Sequence, residues 1–94
     1  MTEQQIQTKI IKYLKSIGAH VINTTVVHPI GTADLICCLN GLFYAFEVKK
    51  DAKSKVSPLQ VYQIERVEKA GGKAFVVWSV DMVKNTLERL NSRI

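Results

Sequence analysis

Gly31-Thr32-Ala33-Asp34-Leu35-Ile36-Cys37-Cys38-Leu39-Asn40-Gly41-Leu42-Phe43-Tyr44-Ala45-Phe46-Glu47-Val48-Lys49 holds two apolar runs, Leu35 to Leu39 and Leu42 to Phe46, joined by Asn40-Gly41. Both residues of that dipeptide tolerate positive φ, so it favours a two-residue hairpin turn. A tight turn pairs Leu39 with Leu42, and counting back along both strands sets Asp34 opposite Glu47. Alternation then puts Lys49 on the same face as Glu47. Two carboxylates directly opposite one another have Cβ atoms about 4.5–5.5 Å apart and repel unless a positive group lies between them. A divalent metal ion is the natural candidate.

Outward from the hairpin, Thr2 to Gln5 reads as a capping box, and Ile6, Ile10, Tyr13, Leu14 and Ile17 recur at helical spacing until Gly18. Glu3 falls in the first turn, where a carboxylate suits the helix dipole. Ala19 to Thr25 is rich in β-branched residues and reads as a strand, leading into a loop with His28-Pro29-Ile30-Gly31. Neither His20 nor His28 has a partner at ligand spacing; His28 is the nearer of the two to Asp34 along the chain.

Beyond the hairpin, Lys50-Asp51-Ala52-Lys53-Ser54-Lys55 lacks periodicity and reads as a loop. Ser57-Pro58 supplies an N-cap and a first-turn proline for a helix carrying Leu59, Val61, Tyr62, Ile64 and Val67, which Gly71-Gly72 ends. Lys73 to Trp78 reads as a strand buried on both faces, with Trp78 expected in the core rather than as a base-stacking platform. Ser79 opens a last helix whose Val80, Val83, Leu87, Leu90 and Ile94 form one stripe, suited to covering the sheet or meeting a second subunit. The expected order is α-β-β-β-α-β-α in a single domain, residues 1–94.

Length and composition set the class. Ninety-four residues make one small core, and a homodimer would bury more surface. No apolar run approaches the roughly 20 residues of a membrane span, and the N-terminus lacks the form of a signal peptide. A cytoplasmic protein is expected, in a bacterium or in a phage's host. Cys37 and Cys38 are adjacent in a strand, badly placed to bridge one another, fit no zinc spacing and are expected as small core residues. The net charge of +5 favours a polyanionic partner.

An acidic residue at a strand start, a short hairpin and Glu-x-Lys at the end of the next strand resemble the PD-(D/E)XK nuclease superfamily. Within it the chain is similar to the virus-type replication-repair nuclease (VRR-NUC) domains, on Gly31-Thr32-Ala33-Asp34, Phe46-Glu47-Val48-Lys49 and Ser57-Pro58-Leu59-Gln60. The family's proline before the aspartate is Ala33 here; it shapes backbone and ligates nothing, so metal binding is expected to survive. A glycine often seen before the second helix is also absent. The resemblance implies an α+β fold with a restriction-endonuclease-like αβββαβ core and an extra C-terminal helix. It further implies a Mg²⁺-dependent endodeoxyribonuclease, with Mn²⁺ able to substitute, acting in DNA repair as a homodimeric Holliday-junction resolvase on branched or four-way DNA. A nickase or flap nuclease without junction preference and a DNA-binding module without catalysis are the alternatives.

Phosphodiester hydrolysis needs an activated water and stabilisation of added negative charge, and Mg²⁺ bound by a few hard oxygens serves both. Asp34 and Glu47 are the expected metal ligands, and the resemblance adds the backbone carbonyl of Val48. Lys49 would orient the attacking water and offset charge. By the same resemblance Gln60 faces the site from the second helix, and Glu3 holds a metal-bound water or a second ion. Lys50, Lys53 and Lys55 on the loop leaving the site are expected phosphate contacts. Taken alone, Glu47-x-Lys49 reads better as a surface ion pair; the opposed Asp34 and the helix start at Gln60 shift the balance to a site.

Overall fold

A computed structural model describes residues 1–24 and 32–91. Helix α1 spans Glu3–Ser16, and the Thr2–Gln5 capping box forms in full: the Thr2 hydroxyl accepts from the Gln5 N–H, and the Gln5 side chain accepts from the Thr2 N–H. Strands β1 (His20–Asn23), β2 (Leu35–Leu39) and β3 (Leu42–Val48) follow, then α2 (Pro58–Lys69), β4 (Lys73–Val77) and α3 (Val80–Leu90). His28, Gly31, the expected end of β1 at Thr25, and Arg93 and Ile94 lie outside the described residues.

Asn40 and Gly41 both take positive φ, 53° and 81°, and the turn between β2 and β3 has just these two residues. The right-handed twist of the flanking strands calls for that geometry. Leu39 therefore pairs with Leu42 and Leu35 with Phe46, the register the hairpin reading predicts. The sheet order is β1-β2-β3-β4, antiparallel except for the parallel β3–β4 pair. That one parallel pairing is why a helix must intervene: α2 carries the chain across the sheet between β3 and β4.

The sheet is covered on both faces. On one, α1 and α3 bury Ile6, Ile10, Leu14, Val83 and Leu87 against Leu35, Tyr44, Phe46, Val48 and Val77. Burying each of these large side chains stabilises the fold by about 1.5–3 kcal/mol. Tyr44 and Phe46 are wholly buried, and the Tyr44 hydroxyl accepts from the Asn91 side chain at 2.8 Å. On the other face α2 lies over a platform of small residues, Ala33, Ala45 and Ala74, through half-buried Ile64 and Val67. The two faces of β3 thus do different work: large side chains build the main core, while short ones let α2 approach the strand end that carries Glu47.

Several expectations are corrected. Trp78 is not core: it follows β4 as a bend and is 38% exposed. β4 is an edge strand, so Phe75 and Val76 are only half-buried while Ala74 and Val77 are buried. Cys37 is buried but Cys38 is exposed, because adjacent strand residues point to opposite faces and α2 does not reach Cys38's end of the hairpin. Leu59, Val61 and Tyr62 of α2 are exposed, since the apolar packing of α2 on the sheet is made through Ile64 and Val67. Of the two roles open to the α3 stripe, the first holds for Val83 and Leu87, which cover the sheet and form no subunit face.

The close fit of α2 on β3 makes one position intolerant. A Cβ on Gly72 would sit 2.9 Å from Val67 Cγ1, 3.0 Å from Phe43 Cδ1 and 3.2 Å from the Phe43 carbonyl oxygen. The side chains can rotate; the carbonyl, held in β3, cannot. Gly72→Ala is expected to destabilise by about 1–3 kcal/mol, measured as a fall in the thermal midpoint.

Candidate active site

The site is built at the end of β3, beside the start of β2. The ladder's last pair is Leu35 with Phe46, so Asp34 and Glu47 face each other one step beyond it. Two hydrogen bonds from Thr24 hold the chain entering Asp34: the Thr24 N–H donates to the Asp34 carbonyl at 2.9 Å, and its hydroxyl donates to the Ala33 carbonyl. Thr24 is buried, 5% exposed. The position had no signal in the sequence, since a threonine at a strand end is common. Its partners lie nine and ten residues further along the chain, and only the fold brings them together.

Asp34 does not simply point at Glu47. One of its oxygens, Oδ2, accepts the Val48 N–H at 2.9 Å and so extends the β2–β3 ladder with a side-chain acceptor. An N–H and a carbonyl of one strand residue point to the same side, so the Val48 carbonyl is directed toward the Asp34 side as well, past the end of β2. On β3's other side the Lys49 N–H donates to the Val77 carbonyl at 2.8 Å. Residues 47–49 are therefore fixed by both neighbours.

Glu47 is 3% exposed. Its Oε2 accepts from the Gln60 side-chain amide at 2.9 Å and lies 3.5 Å from the Lys49 ammonium. Its other oxygen, Oε1, is buried and has no hydrogen-bond partner among the described residues. Burial, and then the neighbouring Asp34 charge, push the Glu47 carboxyl up to about 7 against the opposing pull of Lys49. A buried oxygen with no donor, in a carboxylate held beside a second carboxylate, is costly as a bare anion. It fits a hard divalent cation, for which the available donors are the Asp34 and Glu47 oxygens and the Val48 carbonyl. No group of three or more His, Cys, Asp or Glu side chains suited to a metal occurs among the described residues. Water and substrate oxygens must complete any coordination, as suits Mg²⁺.

Gln60 ties these groups together. Its Oε1 accepts from the Lys49 ammonium at 3.1 Å and from the Ser57 N–H at 2.9 Å, while its amide donates to Glu47. The Ser57 hydroxyl accepts from the Gln60 N–H, completing a capping box. The same residue starts α2 and orients the acid and the lysine, so Gln60→Ala is expected to cost about 1–2 kcal/mol in thermal or chemical unfolding. It also releases Lys49, which would show as slower turnover.

The structure thus brings Asp34, Glu47, Val48, Lys49 and Gln60 together. Glu3 is exposed in the first turn of α1 and has no hydrogen bond or ion pair to the cluster among the described residues, although Met1 and Ile6 share a cleft with Lys50. Lys50, Lys53 and Lys55 are exposed on the loop that leaves the site, which Asp51 shapes by accepting from the Lys53 N–H and the Ser54 hydroxyl.

No protein-family model matches the sequence, and no curated protein does. Solved structures do. A structure described as a VRR_NUC domain is similar with a TM-score of 0.81 at 30% identity, over 94% of this chain and 97% of that one. A VRR_NUC domain protein gives 0.77 at 21% identity, over 98% and 89%. Hjc, a Holliday junction resolvase of Archaeoglobus fulgidus, gives 0.59 at 20% identity, over 78% of this chain and 64% of that one, a likeness of fold. With its mixed α+β sheet and the Asp34, Glu47-x-Lys49 and Gln60 positions in the expected elements, the chain belongs to the VRR-NUC family, within the PD-(D/E)XK nuclease superfamily.

Proposed function

We propose that the protein is a Mg²⁺-dependent, structure-specific endodeoxyribonuclease that cuts branched DNA, with the four-way junction as preferred substrate and a homodimer as the acting form. The observation that carries the reading is Glu47 Oε1, buried beside Asp34 and Lys49 at a strand end with no hydrogen-bond partner among the described residues. Family membership supports nuclease chemistry. The fold likeness to a protein described as a Holliday junction resolvase supports the junction substrate. A dimer would have to use a surface other than the Val83–Leu87 stripe, which the chain's own core consumes.

The residues divide the work. Asp34, Glu47 and the Val48 carbonyl are the groups to hold the ion; Mg²⁺, when bound, acidifies water and stabilises charge on the phosphate. Asp34 is kept in place by the Val48 N–H, which donates to its Oδ2. Lys49 holds its ammonium beside Glu47 by donating to the Gln60 side-chain Oε1, where it can receive the scissile phosphate and orient the attacking water. Lys50, Lys53 and Lys55 bring positive charge to the flanking phosphates. No helix of the described residues is long and apolar enough to cross a membrane.

The test is cleavage of labelled four-way, flap and linear DNA with Mg²⁺, beside Asp34→Asn. Paired symmetric nicks in the junction, lost in the variant, are expected. Equal cutting of linear DNA would refute the junction preference, and binding without cutting of any substrate would refute the enzyme.

A further inference from the structure

Trp78 is the chain's sole tryptophan, and it stands partly exposed where the sequence pattern placed it in the core. It lines a cleft of about 380 Å³ together with Lys9, Lys50, Met1 and Ile6, within the size range of small-ligand sites. Its N–H lies 3.4 Å from the Met82 sulfur, and Ser79 caps α3 immediately after it, so the backbone carrying the ring is anchored. The cleft adjoins the catalytic strand end. Val77 pairs with Val48, so Trp78 and Lys49 each follow the same ladder pair, and Lys50, next in the chain, lines the cleft.

The positive charge continues away from the site. A second cleft shares Lys9 and Val80 with the first and adds Lys12, Tyr13 and Lys84, whose ammonium lies 5.3 Å from the Tyr13 ring centre. Lys50, Lys9, Lys12 and Lys84 thus mark a basic track from the site over the seam of α1 and α3. Asp81 in the first cleft and Glu88 near Tyr13 are the carboxylates against it. An aromatic face flanked by ammonium groups, on a chain of net charge +5, matches a base with phosphates on either side.

We infer that the Trp78 cleft is a subsite for an unstacked base of the DNA strand beside the cut, with Lys50 and Lys9 on its flanking phosphates and Lys12 and Lys84 further along. The inference rests on the nuclease reading for the identity of the strand and deepens it. A base is free to stack there only where the duplex is interrupted, so the subsite would select branched or frayed DNA over intact duplex.

Because Trp78 is the only tryptophan, its fluorescence reports from this cleft. The unaltered protein, with EDTA present to prevent cutting, is titrated with single-stranded, branched and blunt duplex oligonucleotides and with a mononucleotide, while fluorescence anisotropy of labelled DNA follows binding. Quenching by single-stranded and branched DNA, with little by duplex, is expected. Trp78→Ala should weaken single-strand binding about 5- to 100-fold, and Trp78→Phe should recover part of it. Lys9→Ala should lower the salt slope by about 0.7. Binding with unchanged emission overturns the inference, as does equal quenching by the mononucleotide. Parallel cleavage with Mg²⁺ separates the two claims: cutting with unchanged emission removes the subsite and leaves the nuclease, and quenching without cutting does the reverse.

Discussion

Glu47→Gln is expected to abolish DNA cleavage and, in the absence of metal, to make the protein more stable above neutral pH. Glu47 holds its proton more tightly folded than unfolded: its carboxyl is pushed from 4.5 up to about 7, first by burial and then by Asp34. Such a group contributes stability that is complete below pH 4.5 and is lost as the pH climbs to about 7. The metal-free protein should therefore weaken across that window, by roughly 2–4 kcal/mol. Glutamine keeps the shape of the protonated acid and never ionises. The variant should match the parent near pH 4.5 and exceed it by roughly 2–4 kcal/mol at pH 8. Urea unfolding at the two pH values in EDTA measures the difference. An equal midpoint at pH 8 would show that the Glu47 anion is not costly. In the parent, protons and metal compete for Glu47, so the rising limb of activity with pH should move lower as Mg²⁺ is increased.

Lys49→Ala is expected to lower kcat by about 10²–10⁴, with a smaller effect on KM. The ammonium is mostly shielded, with 13% of its side chain exposed, and is held between Glu47 Oε2 and Gln60 Oε1. It stands where charge grows on the phosphate, so its loss falls on the transition state more than on the ground state. Removing it also takes away the one group that lowers the Glu47 value, so the variant's pH profile should move upward. Lys49→Arg should not rescue, because a planar fork cannot replace a compact ammonium in a slot shaped by two oxygens. Single-turnover cleavage across pH separates these effects; a kcat loss under fivefold would remove Lys49 from the chemistry.

What could be read from the sequence follows the range of the forces involved. The hairpin was legible because Asn40-Gly41 decides its turn locally, and the register then carries Asp34 to Glu47 by counting. The caps at Thr2, Ser57 and Ser79 were legible for the same reason. The α3 stripe predicted a buried face but not which surface it would meet. Trp78 and Cys38 were misplaced because hydrophobic pattern gives no measure of how far a covering helix reaches. The Asp34 bond to the Val48 N–H and the buttress from Thr24 depend on chain ends meeting in three dimensions, and no spacing announces them. Gln60 entered by family resemblance; its three hydrogen bonds supply the physical reason for it.

Thermal unfolding at pH 8 in EDTA and in millimolar Mn²⁺, for the parent, Asp34→Asn and Glu47→Gln, tests most directly whether the two opposed carboxylates form a metal site. An ion bound by the folded state alone must raise its stability by mass action, about 2.7 kcal/mol at a hundred times Kd. The parent's midpoint should rise with Mn²⁺ and neither variant's should. Equal midpoints for the parent with and without Mn²⁺, or an equal rise in all three proteins, would contradict a metal held between Asp34 and Glu47.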